Sequence, residues 1–313
     1  MVHSAPKALP VRFALVGVGR WGANYLDVFA DFPGAELVAL CDPDPVALSR
    51  GVKRKPVNSA VASLSGLRRA DVDAVIIATP TDSHVRLASE AFEMGFHVLV
   101  EKPLAMTAVE ALAVINAAER AERLLSVGYQ MLHHPGHVAL VREVAKLGPL
   151  RHIRTIRSSV RRERQDPVLL ALGPHDLATL TVLSGRSDYV CDSTEGDGIS
   201  TLTARLRSIG TGLTAELRFG RGTPLRLTEV VGRDGTASLD ESSGIVTVNG
   251  AEVFAGCVSR PLDLQCADFV AKIASGAHRV ADHLAGISRL IELVQAEVSR
   301  PVHDAARPLQ LSP

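Results

Sequence analysis

The chain has 313 residues, 46% of them hydrophobic and 22% charged, which is enough for one large domain or two ordinary domains with a sizeable core. Its formal net charge of zero argues against a nucleic-acid or anionic-membrane partner bound through bulk charge. The four cysteines lack paired metal-type spacing, and no apolar run resembles a signal peptide or a transmembrane helix. These features predict a soluble, cytoplasmic protein without a bound metal.

A glycine motif follows the first predicted strand. Residues 1–10 are predicted to be a loose tail, after which a strand runs into Gly17-Val-Gly19-Arg20-Trp21-Gly22 and an amphipathic helix. A second strand then ends at Asp42, which lies 20 residues beyond the last glycine. The first glycine permits a tight turn, the second lets a pyrophosphate approach the backbone, and the acid accepts hydrogen bonds from the adenosine ribose. The segment therefore predicts a dinucleotide site.

The acid at position 42 also concerns the choice of cofactor. A carboxylate there repels a 2′-phosphate, so the sequence favours NAD over NADP. A basic stretch follows soon afterwards, at Arg50 and residues 53–55. If this basic loop folds back, its side chains can accommodate the 2′-phosphate of NADP. The alternative is a solvated basic loop that does not contact the cofactor, so NADP is not excluded.

Strands and helices continue to alternate up to residue 129. The predicted order is a strand over 72–78, the loop Thr79-Pro80-Thr81-Asp82-Ser83-His84, a helix over 83–94, a strand over 98–100, the segment Glu101-Lys102-Pro103, a helix over 107–121 and a strand over 124–129. Small and capping residues in the first of these loops suit a turn beneath a dinucleotide. The alternation predicts right-handed crossovers and a doubly wound parallel sheet.

Lys102 lies where a buried strand ends and a helix is about to begin. Ligands of open α/β sheets bind at the carboxyl ends of the strands, and a partly desolvated lysine there can reach a substrate oxygen. The alternative is a solvated loop lysine.

The pattern changes after Tyr129. A histidine-rich segment at 133–137 is interpreted as a polar hinge, and residues 202–231 alternate with period two, as in an antiparallel meander. A hairpin over 245–255 and two amphipathic helices complete the chain. We predict a Rossmann domain over 11–133 and a substrate-binding and oligomerisation domain over 134–313, with the terminal helix able to pack back on the first domain. The solvent-exposed face of the second sheet predicts assembly into a homodimer or homotetramer.

Five segments carry a family resemblance. They are the glycine motif, Ala78-Thr79-Pro80 with His84, Glu101-Lys102-Pro103, Val127-Gly128-Tyr129, and Leu172-Gly173-Pro174-His175-Asp176-Leu177. Together they resemble the glucose–fructose oxidoreductase / inositol dehydrogenase (Gfo/Idh/MocA) family. The resemblance implies a Rossmann domain followed by an α/β domain with an open, mostly antiparallel sheet. It also implies NAD(P)-dependent hydride transfer at a carbinol or ketone, and the Gly-Pro-His-Asp-Leu version implies the branch acting on nucleotide-linked or deoxy sugars, often at C3.

The resemblance also implies a working pair. Lys102 and His175 meet at the substrate, where His175 exchanges the hydroxyl proton, its ordinary pKa suiting that role, and Lys102 stabilises charge on the same oxygen. We expect cofactor contacts from Gly17, Gly19, Arg20, Trp21, Gly22, Asp42, Thr79, Pro80, His84, Glu101 and Lys102. We expect substrate contacts from Lys102, Tyr129, Arg161, Arg164, Asp166, His175 and Asp176. The arginines at 161 and 164 suit bidentate binding of a nucleotide-sugar pyrophosphate, the alternative being a solvated strand end.

One position departs from the family pattern. The family commonly has an aspartate four residues before the histidine, and this chain has Ala171. Asp176 and Asp166 are candidates to replace that carboxylate. Two other interpretations therefore stay open, namely a reductase of imines or non-sugar ketones, and a dinucleotide-binding sensor or pseudoenzyme without turnover.

Overall fold

Two sheets organise the protein in this computed structural model, which describes residues 10–160, 167–256, 260–278 and 284–299. The first sheet has six strands and the second has eight. A parallel Rossmann sheet followed by a mostly antiparallel sheet confirms the predicted fold class. No helix in the described part of the chain is long and apolar enough to cross a bilayer.

The first sheet has the strand order β3-β2-β1-β4-β5-β6, and all neighbouring strands are parallel. Its elements are β1 (Val11–Val16), α1 (Gly22–Val28), β2 (Ala35–Cys41), α2 (Pro45–Arg54), β3 (Ser59–Val61), β4 (Ala74–Ile77), α3 (His84–Glu93), β5 (His97–Val100), α4 (Ala108–Arg120) and β6 (Leu125–Val127). Short 3₁₀ helices lie at Leu64–Gly66, Thr81–Ser83 and Gln130–His133.

Helices bury both faces of this sheet, as the near-continuous apolar strands require. In β1, Phe13 and Leu15 pack into one hydrophobic cluster with α1, and Ala14 and Val16 pack into the other. The carboxyl ends of all six strands therefore point to one edge. The glycine loop, Asp42 and Glu101 lie at that edge.

The second sheet has the order β14-β13-β12-β11-β7-β10-β9-β8. Its elements are α5 (Pro135–Val144), β7 (Leu150–Ser159), α6 (Val168–Ser184), β8 (Tyr189–Glu195), β9 (Thr201–Ser208), β10 (Thr214–Arg221), β11 (Leu225–Gly232), β12 (Thr236–Asp240), β13 (Ile245–Val248) and β14 (Ala251–Phe254). The hairpin predicted over 245–255 is confirmed as β13 and β14.

The prediction of one continuous meander over 202–231 was wrong. β7 lies between β10 and β11, parallel to β10 and antiparallel to β11. Strand β7 was not predicted from the sequence, because polar side chains interrupt its buried face. Thr155 and Arg157 stand on that face with Ile153, so no apolar alternation marks the strand.

Both final helices contact elements of the first domain. α7 (Pro261–Ala274) places Phe269 against Phe13, with ring centroids 6.0 Å apart, and its Gln265 side chain donates to the Val127 carbonyl at 3.0 Å. α8 (Leu284–Val298) packs on α4 and α6, and its Glu292 carboxylate accepts from the Ala108 amide at 3.0 Å. The helical stripes predicted for this region are confirmed. The boundary between residues 133 and 134 stays a prediction.

A buried ion cluster fixes α6 to the second sheet. Arg157 in β7 donates from Nε and Nη2 to Asp176 in α6 at 2.9–3.0 Å, and its Nη2 also donates to Glu241 at 2.7 Å. All three side chains are at most 5% exposed. Burial raises the pKa of Asp176 to about 6, even though the Arg157 charge lowers it. One cation thus serves two carboxylates in the interior.

Replacing Arg157 by methionine should destabilise the protein by about 3–5 kcal/mol, because it leaves two buried carboxylates without their counter-charge. Denaturant unfolding measures the effect. Arg218→Met is the matched control, since its exposed ion pair with Glu216 is worth about 0–1 kcal/mol. Equal stability of the Arg157 variant and the unmodified protein would show that the cluster does not hold α6.

Candidate active site

The glycine loop is tight at its two ends and open in the middle. Gly17 has φ +89°, and a Cβ there would lie 2.8 Å from the Ala78 carbonyl. A Cβ at Gly22 would lie 2.0 Å from the Gly17 oxygen, whereas a Cβ at Gly19 would meet nothing within 4 Å. The outer glycines are therefore required by the protein's own backbone. The middle one leaves the open cradle that a pyrophosphate needs.

Glu101 connects the glycine loop to the lysine motif. Its buried carboxylate accepts from the Trp21 indole Nε1 and, at 2.7 Å, from the Tyr25 hydroxyl. A Cβ at Gly128 would lie 2.7 Å from the Glu101 Oε2, so only glycine fits beside it. Trp21 and Glu101 were predicted to bind the cofactor, but the structure joins them to each other. They position the loop, and Arg20 beside them is exposed.

Asp42 closes the carboxyl end of β2. Its Oδ2 accepts from the Val18 amide at 2.7 Å and its Oδ1 accepts from the Asp44 amide at 2.9 Å. A carboxylate oxygen can accept more than one hydrogen bond, so ribose hydroxyls remain acceptable donors. Asp42 thus ties the glycine loop to β2 at the place where the ribose is expected.

His84 has a different position from the one predicted. Its ring is 1% exposed, and its Nδ1 and Nε2 lie 2.8 Å from the Pro103 carbonyl and 2.9 Å from the Thr79 carbonyl. Both nitrogens therefore face backbone, which leaves none for a cofactor. His84 joins the loops after β4 and β5. In the first of these loops, the Ser83 hydroxyl donates to the Thr79 Oγ1 at 2.7 Å and to the Pro80 carbonyl at 2.7 Å.

Lys102 reaches helix α6 of the second half of the chain. Its Nζ donates to the Ala171 carbonyl oxygen at 3.2 Å. His175 follows one helical turn later, on the same face of α6. The strand-end lysine and the histidine therefore come to one turn of one helix, although 73 positions separate them in the sequence.

His175 is held in its neutral form. Burial, and after it the positive charges of Lys102, Arg157 and Arg226, hold the pKa of the imidazole well below its usual 6.5. Its Nδ1 is buried, and in the described part of the chain it has no hydrogen-bond partner. The expectation of titration near neutrality does not fit this environment. The imidazole is therefore unprotonated at pH 7, which is the form that a general base requires.

The remaining predicted substrate residues lie elsewhere. Asp176 does not replace the missing carboxylate, because both of its oxygens accept from Arg157 on the sheet side of α6. Tyr129 is 2% exposed, and its hydroxyl lies beside the Leu104 backbone below the surface. The other three predicted residues, Arg161, Arg164 and Asp166, lie outside the described residues.

Sequence reasoning missed several residues that shape this site. Tyr25 belongs to no motif, although its hydroxyl holds Glu101. Arg157 and Glu241 carried no motif, because they come together only across the second sheet. Arg226 had a weak signal, since it alternates with Thr228 and Val230 on the buried face of β11.

Residues 11–129 match the model of an oxidoreductase family with an NAD-binding Rossmann fold, GFO_IDH_MocA. A glycosyl hydrolase family 109 protein of Shewanella baltica is 37% identical over 129 residues. That match covers 38% of this chain and only 28% of the relative, so the chain spans well under two thirds of the length of such relatives.

Solved structures match over nearly the whole described chain. A putative oxidoreductase from Magnetospirillum magnetotacticum is 28% identical, with a TM-score of 0.76, covering 92% of this chain and 99% of that one. UDP-N-acetylglucosamine 3-dehydrogenase from Acidithiobacillus ferrooxidans is 26% identical, with a TM-score of 0.79, covering 93% and 98%. A 3-ketoreductase from Actinomadura kijaniata, 20% identical, shows the same fold, with a TM-score of 0.78 and coverage of 93% and 97%.

The family match of the first domain, the likeness of both domains to solved oxidoreductases and the open glycine cradle agree with one another. The first domain, over residues 11–129, belongs to the Gfo/Idh/MocA family of oxidoreductases.

Proposed function

We propose that the protein is an NAD-dependent dehydrogenase or reductase that acts on a carbinol or ketone of a sugar, in particular a nucleotide-linked or deoxy sugar at C3. The observation that carries this proposal is the meeting of Lys102 with the turn of α6 that bears His175. The likeness to a UDP-N-acetylglucosamine 3-dehydrogenase supports the substrate class and the position.

The residues present fit a nicotinamide dinucleotide. Gly17, Gly19 and Gly22 would form its pyrophosphate cradle, Asp42 would hold the ribose, and the loop at Thr79 and Pro80 would lie beneath it. When bound, NAD supplies the hydride acceptor or donor of the reaction. Glu101, His84 and Trp21 act below this surface by fixing the loops relative to one another.

Lys102 and His175 would divide the remaining chemistry. A neutral imidazole can take the hydroxyl proton during oxidation, and the resulting imidazolium can return it during reduction. The Lys102 ammonium would donate to the same oxygen and stabilise negative charge developing there. Its stem already spans from the first sheet to α6, so the group is oriented before substrate arrives.

Lys102→Met keeps the aliphatic stem and removes the charge, so NAD binding should remain while single-turnover hydride transfer falls about a hundredfold or more. His175→Asn should lower it by about 10²–10⁴ because proton transfer is lost. UDP-N-acetylglucosamine, neutral sugars, imines and non-sugar ketones form the substrate panel. Lys146→Met and His152→Asn are controls outside the site.

Unchanged turnover in both site variants would show that the proposed pair is wrong. Turnover restricted to imines or non-sugar ketones would replace the sugar substrate with the second class. NAD binding by the unmodified protein without turnover on any substrate would favour the sensor that Ala171 suggests.

The pH dependence of oxidation should follow His175. Its pKa lies well below 6.5, so the neutral base persists as the pH falls through that value and is lost only at more acid pH. We expect kcat/KM to show no inflection near pH 6.5. Lys102→Met removes a neighbouring positive charge and should move the acid limb to higher pH. An inflection near 6.5 that this variant leaves unmoved would contradict the assignment.

We propose that the cofactor is NAD rather than NADP, because the Asp42 carboxylate repels a 2′-phosphate. Calorimetric titration with both cofactors measures the preference. Asp42→Ala should weaken NAD about tenfold and relax the preference. Asp42→Asn keeps an acceptor for the Val18 amide but removes the charge, so it separates repulsion from loop support. Tighter binding of NADP by the unmodified protein would overturn the proposal.

We also propose that the second sheet mediates a homodimer or homotetramer. The face of the sheet opposite Leu206 and Leu217 carries cross-strand ion pairs, including Arg205–Glu216 at 3.3 Å and Arg207–Asp192 at 3.0 Å. Leu225 and Val231 are exposed on the same face of β11. Such a mixed, flat surface suits contact with a second copy.

A further inference from the structure

Arg226 lies between Arg157 of β7 and Glu241, in a row of three residues that crosses the second sheet beneath the proposed site. It stands directly opposite Arg157 of β7, and its carbonyl accepts from the Glu241 amide at 2.9 Å. Thr228 and Val230, which share its face of β11 by the period-two rule, are both buried. The Arg226 side chain therefore leaves β11 on the same face as the buried ion cluster that seats α6.

The residues at the two ends of this row, Arg157 and Glu241, form an ion pair with each other across Arg226. Arg157 Nη2 donates to Glu241 Oε1 at 2.7 Å, and both side chains are at most 5% exposed. The buried space above the row is thus occupied by their ion pair. Arg226 itself is exposed, so its side chain reaches solvent. Its cross-strand neighbour Arg157 bonds to Asp176, the residue after His175, and the Arg226 charge acts on His175, so Arg226 lies near that histidine.

Three positive charges act on His175, those of Lys102, Arg157 and Arg226. Arg157 is neutralised by its two carboxylates. The position at which the family commonly has an aspartate holds Ala171. The Lys102 and Arg226 charges at this histidine therefore suit a substrate that carries a negative group near the reacting carbon.

Arg226 has one competing role. Arg157 is shared between Asp176 and Glu241, so the cluster carries an excess negative charge when both acids are ionised. Arg226 would then simply balance that charge, and its loss would lower stability without changing affinity for any ligand. An exposed guanidinium also presents several donors in a planar fork that matches phosphate and carboxylate oxygens. The two roles make different predictions.

We propose that Arg226 is a specificity-determining residue that binds an anionic group of the substrate, a phosphate or a carboxylate, beside His175. The proposal rests on the proposed function and narrows its substrate class to anionic sugars. The phosphate source is the pyrophosphate of a nucleotide-linked sugar. The carboxylate source is a sugar acid.

The test measures ligand binding to protein saturated with NAD⁺, so that UDP cannot enter the dinucleotide site. UDP and D-glucuronate are the anionic probes, and N-acetylglucosamine is the neutral one. Arg226→Gln should weaken binding of one anionic probe by roughly ten- to a hundredfold, and Arg226→Lys should weaken it less. Affinity for NAD⁺ should not change. Arg151→Gln, on the same face of β7 but at its opposite end, is the matched control.

The affected probe distinguishes pyrophosphate from carboxylate recognition. Anion binding that is lost in Arg226→Gln supports the proposal even if no sugar is oxidised, a result that would count against the proposed function alone. The proposal is overturned if neither anion binds the unmodified protein more tightly than N-acetylglucosamine does. It is also overturned if Arg226→Gln lowers the melting temperature and leaves both affinities unchanged, because Arg226 then only balances the buried acids.

Discussion

One buried arginine shared by two carboxylates determines where the second half of the molecule places its chemistry. Arg157 joins β7 to Asp176 of α6 and to Glu241 beyond β12. These contacts fix the rotation of α6 about its axis, because Asp176 must face the sheet. Its neighbour His175, about 100° further round the helix, then lies on the face of Ala171, whose carbonyl Lys102 reaches. Burying these charges costs desolvation free energy, and the cluster contributes a fixed orientation of α6.

In the first domain, Glu101 positions the functional groups as Arg157 does in the second. It accepts from Trp21 and Tyr25 of the glycine loop and helix α1, and it immediately precedes Lys102. The cradle for the dinucleotide and the proposed electrostatic group are therefore attached to one carboxylate. His84 links the two adjacent loops in the same way, so the buried polar side chains beneath the site hydrogen-bond to other parts of the protein. The polar groups at the surface of the site can then bind a cofactor and a substrate.

The alanine at position 171 affects the electrostatics of the site more than its architecture. Lys102 donates to the main-chain carbonyl of Ala171, an acceptor that any residue at this position would offer. The lysine thus stays in place without the family carboxylate. Ala171 contributes no negative charge beside His175, and Arg226 adds a positive one. The supporting contacts of the site are intact without a carboxylate at this position.

The sequence by itself determined the first domain and most of its motif positions. Local signals suffice there, since a glycine loop between a strand and a helix, apolar strands and capping residues all act within a few residues of one another. It also determined that Lys102 ends a strand. The sequence did not determine β7, because buried Thr155 and Arg157 hide its pattern, nor the roles of Asp176 and His84. Only the tertiary structure decided those, since the partners of both side chains are distant in the chain, and burial itself moves the pKa of His175 away from neutrality.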